Sequence, residues 1–278
     1  MSTTFKAACV QVNAGTEILP NLQAAGDLVR RARDAGADFI AMPENVSMIV
    51  QGRAKVMERV KPESEHPGVP FFADLARETG AWLLAGTLGI LLDEKRVANR
   101  SYLFDDQGRA VAHYDKIHMF DVDLKDGESY RESATFRPGE RAVVANTPWG
   151  GLGMTVCYDV RFAYLHRALA QAGAKIITVP AAFTVPTGRA HWHLLLRARA
   201  VETGCFVIAP AQVGTHDEGR QTYGHSLIIA PWGEVLADAG EEVGFCIADV
   251  DMARVEEARR MVPALTHDRA FEVVREGF

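Results

Sequence analysis

Two spacings of hydrophobic residues alternate along the chain, and together they predict helices interleaved with strands. Short apolar runs are typical of buried strands, while apolar residues three and four positions apart are typical of helices, as at Leu22, Ala25 and Leu28. The predicted helices are, in chain order, 21–35, 69–79, 159–172, 188–202 and 252–260, the last with Asp251 as its N-cap. The predicted strands are 5–12, 38–42, 82–90, 97–105, 109–116, 151–156, 175–179, 205–211, 222–230 and 243–250.

Hairpin turns also occur among these alternating elements. Asp106-Gln107-Gly108 separates strands 97–105 and 109–116, and a Pro-Trp-Gly-Glu turn occupies 231–234. A uniformly parallel barrel would join its strands through helices, so the hairpins favour an α/β fold with mixed sheets packed against helices. No low-complexity tract, proline-rich spacer or internal repeat divides the chain, and we therefore expect one domain over residues 1–278.

Composition and charge narrow the class of protein. A hydrophobic content of 48% in 278 residues supports a sizeable core, and a net charge of −6 argues against a nucleic-acid-binding protein. No apolar run is long enough for a membrane helix, and the first residues do not have the pattern of a secretion signal. The four cysteines lack CxxC spacing, which argues against a zinc site or a redox dithiol. We therefore expect a cytoplasmic protein without a metal or cofactor.

Three reactive side chains each stand at the end of a predicted strand: Glu44 in MPEN, Lys116 in YDKIH and Cys157 in TVCYDVRF. Ligand sites of α/β proteins gather at strand ends, so we expect these side chains to converge. An acid, an amine and a thiol together could cleave an amide through a thioester. Taken singly, each residue has a plainer explanation: a solvated loop acid, a surface lysine in an ion pair and a buried structural cysteine.

The predicted positions of these groups also predict their ionisation. Cys157 lies between predicted strand 151–156 and predicted helix 159–172, and a helix N-terminus would lower the pKa of the thiol. Glu44 lies at the mouth of an apolar core, where desolvation would raise its pKa.

The motifs around these residues resemble the nitrilase superfamily of carbon–nitrogen hydrolases. The matching segments extend over nearly the whole chain: AACVQ at 7–11, MPEN at 42–45, YDKIHMFDVD at 114–123, RES at 131–133, PGE at 138–140, CYDVRF at 157–162, AHWHLLLRARAVE at 190–202 and YGHSLIIAPWGEV at 223–235. Within the superfamily, KIHMFDVD, RES, TGRAHW and YGHS are similar to the branch of ω-amidases and deaminated-glutathione amidases. The segment 211–226 favours the deaminated-glutathione type over the ω-amidase type.

The resemblance implies a four-layer αββα sandwich, with two mixed sheets between helices, and a homodimer. It assigns Cys157 as nucleophile and Glu44 as general base, with Lys116 and the backbone N–H of Tyr158 stabilising the oxyanion. Glu132, in RES, would hold Lys116 and position the substrate. Between two acids, Lys116 should stay charged despite partial burial.

The implied substrate is a small carboxylate-bearing molecule whose primary amide is hydrolysed to acid plus ammonia. The candidates for binding its carboxylate are Arg161, Thr184, Thr187, Arg189 and His191. The sequence leaves open hydrolysis of a nitrile or an N-carbamoyl group on the same scaffold, and also a non-catalytic interaction protein. A cysteine peptidase would need a histidine base, and no histidine has a comparably suggestive context. The histidine spacings do not form a metal-binding motif.

Overall fold

The computed structural model describes residues 4–123 and 129–277, which form helices and strands in the alternating order that the sequence predicts. The helices are α1 (Ile18–Asp34), α2 (Arg53–Arg59), α3 (Gly68–Thr79), α4 (Ala163–Gln171), α5 (Val185–Thr203) and α6 (Ala253–Met261). The strands are β1 (Thr4–Gln11), β2 (Phe39–Ala41), β3 (Trp82–Leu84), β4 (Leu88–Asp93), β5 (Arg96–Phe104), β6 (Ala110–Asp115), β7 (Asp121–Asp123), β8 (Ser129–Arg131), β9 (Val143–Thr147), β10 (Gly150–Met154), β11 (Ala174–Thr178), β12 (Phe206–Ala209), β13 (Val213–Thr215), β14 (Gln221–Tyr223), β15 (Leu227–Ile229), β16 (Val235–Asp238) and β17 (Gly244–Asp251).

Two large mixed sheets contain most of these strands. The first has the order β17-β1-β2-β3-β5-β4, with β6 also paired to β5, and the second has the order β16-β15-β12-β11-β10-β9. In each sheet the central strands are parallel (β1, β2 and β3; β10, β11 and β12) and the outer pairs are antiparallel. Helices connect the parallel strands and hairpins connect antiparallel ones, which explains the two patterns in the sequence.

The two sheets pack face to face, and the helices cover their outer faces. Phe39 of the first sheet and Ile177 of the second belong to one buried core between the sheets. On the far side of the first sheet, Leu28 of α1 and Phe72 of α3 belong to a second buried core. Helices α4 and α5 pack against β10, β11 and β12 of the second sheet. The predicted αββα sandwich is therefore confirmed.

Two predicted strands are each broken by residues with positive φ. Predicted strand 82–90 divides into β3 and β4 at Gly86, where φ is +33°. Predicted strand 222–230 divides into β14 and β15 at Gly224 and His225, with φ of +76° and +54°, and the two halves belong to different sheets. A left-handed backbone ends the strand conformation, so each apolar run gives two short strands instead of one.

The predicted helix 159–172 also differs from the structure. Residues Cys157–Arg161 form a separate 3₁₀ helix, and α4 begins only at Ala163.

Asp251 precedes α6 by two positions, and its carboxylate accepts a hydrogen bond from the Ala253 N–H at 3.0 Å. The short elements α2, β7, β8, β9, β13 and β16 were not predicted. In the described part of the chain, no helix combines the length and apolar character needed to cross a bilayer.

Gly86 allows a close approach that fixes the chain beside Glu44. A Cβ added at Gly86 would lie 1.9 Å from the carbonyl oxygen of Pro43 and 2.5 Å from that of Met42. The Met42 N–H donates to the carbonyl of Leu84 at 3.0 Å, so the segment ending at Pro43 is tied to the strand before Gly86. Only glycine combines this positive φ with the space that the carbonyl groups leave.

We expect the G86A substitution to destabilise the protein by about 3 kcal/mol or more, because it adds a steric clash with backbone to conformational strain. The matched control is G80A. Gly80 also has positive φ, +60°, but an added Cβ there has no neighbouring atom within 4 Å. G80A should cost only about 1 kcal/mol. Urea unfolding of both variants measures the difference, and equal losses would contradict the proposed close approach.

Candidate active site

Glu44, Lys116 and Cys157 come together in one cleft between the ends of the two sheets. Glu44 follows β2 and Lys116 follows β6, both in the first sheet, whereas Cys157 follows β10 in the second. The cleft has a volume of about 600 Å³, and Glu132 lines it as well. The sequence prediction that strand ends bring Glu44, Lys116 and Cys157 together agrees with this geometry, and Glu132, which was implied by the resemblance, lies with them.

Lys116 lies between two carboxylates at the base of the cleft. Its Nζ donates to Glu44 Oε1 at 2.8 Å and to Glu132 Oε2 at 2.8 Å, and its side chain is only 2% exposed. The Asn99 amide adds donors to the same two carboxylates, at 2.9 Å from Glu44 Oε1 and 3.1 Å from Glu132 Oε1. Each charged group in this buried cluster therefore has partners, as low-dielectric surroundings require.

The ion cluster reverses the predicted pKa shift of Glu44. Desolvation by burial acts to raise the pKa of Glu44, but the Lys116 ammonium outweighs it and holds that pKa below its usual value. For Lys116, desolvation acts to lower the pKa, yet the charges of Glu132 and Glu44 raise it well above its ordinary value. The prediction for Glu44 was wrong because it considered desolvation without the adjacent cation, whereas the expected charge of Lys116 agrees.

The backbone of the chain also positions the Glu44 side chain. The Ala182 N–H donates to Glu44 Oε2 at 3.1 Å, and the Gln212 side chain donates to the Glu44 carbonyl at 3.0 Å. Neither contact has a signal in the sequence, since Ala182 acts through its backbone and Gln212 is distant along the chain. Together they leave the Glu44 carboxylate in one orientation.

Cys157 occupies a tight turn whose shape depends on Asp159. Cys157 has a φ of +50°, a left-handed conformation that is unfavourable for a residue other than glycine. The Val156 N–H and the Tyr114 hydroxyl both donate to Asp159 Oδ2 at 2.8 Å, and the Cys157 N–H donates to the Pro180 carbonyl at 2.8 Å. These contacts hold the strained turn that points the thiol into the cleft.

The pKa of the Cys157 thiol is raised well above its ordinary value, the opposite of the sequence prediction. Burial raises it most, and the Glu44 carboxylate raises it further, against a lowering effect of Lys116. The expected helix effect is missing because α4 begins at Ala163, beyond the 3₁₀ turn that contains Cys157. The resting site therefore combines a neutral thiol with an ionised Glu44 and a charged Lys116.

Tyr158, whose backbone N–H was predicted to stabilise the oxyanion, lies beside this centre. Tyr158 directly follows Cys157, and its ring makes an edge contact with Phe120 at 5.2 Å between centroids. The Phe120 N–H in turn donates to Glu132 Oε2 at 2.6 Å. The assignment of the Tyr158 N–H as an oxyanion donor stays a prediction.

The five residues predicted to bind the substrate carboxylate are not among those that line the cleft. The hydroxyl groups of Thr184 and Thr187 are buried and hydrogen-bond to each other at 2.8 Å. Arg161 lies with its guanidinium 3.3 Å from His191 Nδ1, and Arg189 is exposed on α5. Their role in substrate binding therefore stays a prediction without a contact to this cleft.

A separate group of side chains brings His193, His225 and Asp238 within 4.8 Å of one another, outside the cleft. This group was not predicted, because its three positions are far apart along the chain. His225 Nδ1 lies 3.0 Å from Asp238 Oδ1 and His193 Nε2 lies 3.2 Å from Asp238 Oδ2. Hydrogen bonding of both imidazoles to one carboxylate accounts for this geometry.

Comparison with known proteins identifies relatives over almost the whole chain. The profile of the family described as carbon–nitrogen hydrolase matches residues 6–260. The deaminated glutathione amidase of Synechocystis sp. is 38% identical over 267 residues, which cover 95% of this chain and 97% of the relative. The human deaminated glutathione amidase is also 38% identical, over 94% of this chain and 81% of its own length.

Solved structures show the same fold. The Caenorhabditis elegans NitFhit protein superposes with a TM-score of 0.89 at 33% identity, over 97% of this chain and 66% of the NitFhit chain. Saccharomyces cerevisiae Nit3, a member of branch 10 of the nitrilase superfamily, has a TM-score of 0.86 at 30% identity, over 96% of this chain and 97% of its own. A mutant of the amidase from Nesterenkonia sp., with a TM-score of 0.79 at 26% identity over 93% of this chain and 98% of that one, shows acrylamide added to its active site cysteine.

We expect the K116M variant to lose about 3–5 kcal/mol of stability at pH 7.5, because it leaves the buried carboxylate of Glu44 and the half-buried carboxylate of Glu132 without their cation. In the parent protein, the pKa of Glu44 is lower than its unfolded-state value of about 4.3, so the ionised carboxylate stabilises the fold fully above that value. This stabilisation is lost as the pH falls through the folded-state pKa. In K116M, desolvation would instead raise the pKa of Glu44. The deficit should therefore shrink at pH 5, where protonation relieves the buried charge. Urea unfolding at both pH values measures it.

The control for this substitution is K55M. Lys55 also pairs with a carboxylate, that of Glu218 at 2.5 Å, but its side chain is 57% exposed. The loss of this exposed pair should cost less than about 1 kcal/mol. A K116M deficit no larger than that of K55M, or one that grows at pH 5, would contradict the buried ion cluster.

Proposed function

The chain belongs to the carbon–nitrogen hydrolase family, and we propose that this amidase hydrolyses a small carboxylate-bearing amide through a thioester on Cys157. The observation that carries the proposal is the Glu44–Lys116–Glu132 ion cluster in the same cleft as the thiol. A carboxylate that is ionised beside a neutral thiol can act as its base, and an ammonium held nearby can stabilise an oxyanion.

Acylation begins with transfer of the Cys157 proton to Glu44 as the sulfur attacks the amide carbon. The carbonyl oxygen becomes an oxyanion, which accepts hydrogen bonds from Lys116 and from the Tyr158 N–H. The protonated Glu44 then gives its proton to the leaving nitrogen, the C–N bond breaks, and a thioester remains on the sulfur. A water deprotonated by Glu44 attacks this thioester and releases the acid, which restores the thiol.

The ionisation of the resting site supports this order of events. Because the pKa of Cys157 is raised and that of Glu44 is lowered, proton transfer from thiol to carboxylate is unfavourable before a substrate binds. Negative charge that develops on the substrate oxygen close to Lys116 offsets this cost in the transition state. Glu132 acts as a positioning residue, since it holds the Lys116 ammonium at 2.8 Å.

Relatives support the choice of an amide substrate and suggest its identity. Curated relatives from Synechocystis and human are deaminated glutathione amidases, and we propose deaminated glutathione or an ω-amide of a keto or dicarboxylic acid for this chain. The leaving group differs between them. The amide bonds of glutathione join amino acids, so their hydrolysis releases an amine, whereas only a primary ω-amide releases the ammonia expected from the sequence.

The exposed helices and the cysteines bear on the assembly and the cellular location. We propose a single-domain chain that forms a homodimer through α4 and α5. These helices expose Tyr164 (67%) and Leu194 (68%), and the resemblance to the superfamily implies a partner against the same two segments. The four cysteines are free thiols, which supports a reducing compartment such as the cytoplasm.

Replacement of the thiol tests the proposed nucleophile. We expect C157A to lower kcat/KM for an amide substrate by about 10⁴-fold or more while it keeps the unfolding midpoint of the parent, because the thioester cannot form. C205A is the matched control, since Cys205 is also a buried free thiol but does not line the cleft. C205A should keep kcat, and a folded C157A with substantial amidase activity would refute the assignment.

A panel of compounds tests the reaction class. We expect measurable release of amine or ammonia from deaminated glutathione or α-ketoglutaramate, and none from simple nitriles or N-carbamoyl amino acids. The assay should detect both the acid product and the nitrogen product, because deaminated glutathione releases no ammonia. Turnover of nitriles alone would overturn the choice of an amide substrate and leave the fold unaffected.

A further inference from the structure

Several charged side chains line the cleft around the ion cluster, and they differ in whether they already have partners. Arg131 is paired with Asp123 at 2.8 Å, and Glu218 is paired with Lys55 at 2.5 Å. Arg53 is exposed, and its guanidinium donates to two backbone carbonyls at 2.7 Å each. Arg131 and Glu218 therefore have ionic partners, and the exposed Arg53 has two carbonyl acceptors and solvent.

Arg220 is the exception. It is half-buried, and no carboxylate among the described residues pairs with it. Its Nη2 donates to the carbonyl of Ala182 at 2.8 Å, but its Nε is buried and has no hydrogen-bond partner. A buried donor of a charged group without a partner carries a free-energy cost, which a ligand acceptor can remove.

The position of Arg220 relative to the reactive centre is fixed by one peptide segment. The carbonyl of Ala182 accepts from Arg220, and the N–H of the same residue donates to Glu44 Oε2 at 3.1 Å. Ala182 therefore bridges the guanidinium and the proposed general base. Arg220 lines the same cleft as the thiol.

An aromatic ring also lies beside the guanidinium. The Arg220 group lies over the ring of Tyr130, 5.6 Å from its centroid, and Tyr130 in turn packs against Phe120 at 5.2 Å. A cation–π contact of this kind favours one position of the arginine without using any of its N–H donors.

We propose that Arg220 forms the subsite that binds the carboxylate of the substrate, the end of the molecule opposite the amide that is cleaved. A planar guanidinium matches a carboxylate through two parallel hydrogen bonds, which gives both affinity and orientation. This inference rests on the proposed function, because it names the second group that the substrate presents to the same cleft. It differs from the sequence expectation, which assigned this role to residues that do not line the cleft.

Binding to an inactive enzyme tests the subsite independently of turnover. The probes are succinamate, glutaramate and adipamate, each with one carboxylate and one primary amide, and glutaramide, which has amides at both ends. Calorimetry with the C157A enzyme should show binding of at least one of the three acids. In the R220Q/C157A enzyme, affinity for that acid should fall by about 10- to 100-fold, with a change below about threefold for glutaramide.

Two further variants separate this role from a general effect. R220K keeps the positive charge but loses the planar fork, so it should bind the acid with intermediate affinity. R53Q, the control, removes a cation from the same cleft whose donors are already satisfied by carbonyls. R53Q should change the affinity for either probe by less than about threefold.

An equal loss of affinity for the acid and for glutaramide in R220Q/C157A would overturn the proposal. It would indicate that Arg220 only supports the Ala182 segment. Unchanged affinity in a folded R220Q, or failure of C157A to bind any of the three acids, would also overturn it. If R220Q does not fold, R220K decides by the same comparison of acid and diamide. Selective loss of acid binding in R220Q/C157A, together with a parent enzyme (Cys157 intact) that hydrolyses no amide, would retain the subsite and reject the proposed function.

Discussion

The buried contact of one ammonium with two carboxylates is the constraint around which the cleft is organised. Removing three charges from water at one place is unfavourable unless each charge has close partners. Lys116 meets Glu44 and Glu132, and the Asn99 amide supplies donors to both acids. Glu44 follows β2, Lys116 follows β6 and Asn99 lies within β5, so these three strands must lie at fixed distances from one another. All three belong to the first sheet.

A second organising element is the segment of residues 180–182 after β11, which contributes only backbone groups. The Pro180 carbonyl accepts from the Cys157 N–H, the Ala182 N–H donates to Glu44, and the Ala182 carbonyl accepts from Arg220. One short stretch of chain from the second sheet thus connects the thiol with a carboxylate from the first sheet and with a cation from the β13–β14 hairpin. The relative position of the two sheets and the geometry of the cleft therefore depend on each other.

The alternation of helices with strands, and the meeting of Glu44, Lys116 and Cys157 at strand ends, could be predicted because both depend on local patterns. The αββα arrangement and the place of Glu132 were instead implied by the resemblance to the superfamily. Periodic apolar residues determine the elements, and the ends of strands are where polar groups can meet. The contributions of Asn99 and Gln212 could not be predicted in this way, since Asn99 stands in a strand beside other polar residues and Gln212 acts across the molecule. The broken strand at Gly86 depends on a close approach of two backbones, which no periodicity records. The pKa shifts of Glu44 and Cys157 were misjudged because they depend on distances across the molecule: the sign for Glu44 depends on Lys116, and that for Cys157 on burial and on Glu44.

The protonated state of the Cys157 thiol has a consequence for the durability of the protein. Peroxides oxidise thiolates far more readily than thiols, so a cysteine whose pKa is raised by burial and by a neighbouring carboxylate reacts slowly with them. Under the proposed mechanism, the sulfur gains its anionic character only while a carbonyl group is present to receive it. The idle enzyme would then be protected from sulfenic acid formation by the same arrangement that makes it dependent on its substrate for activation.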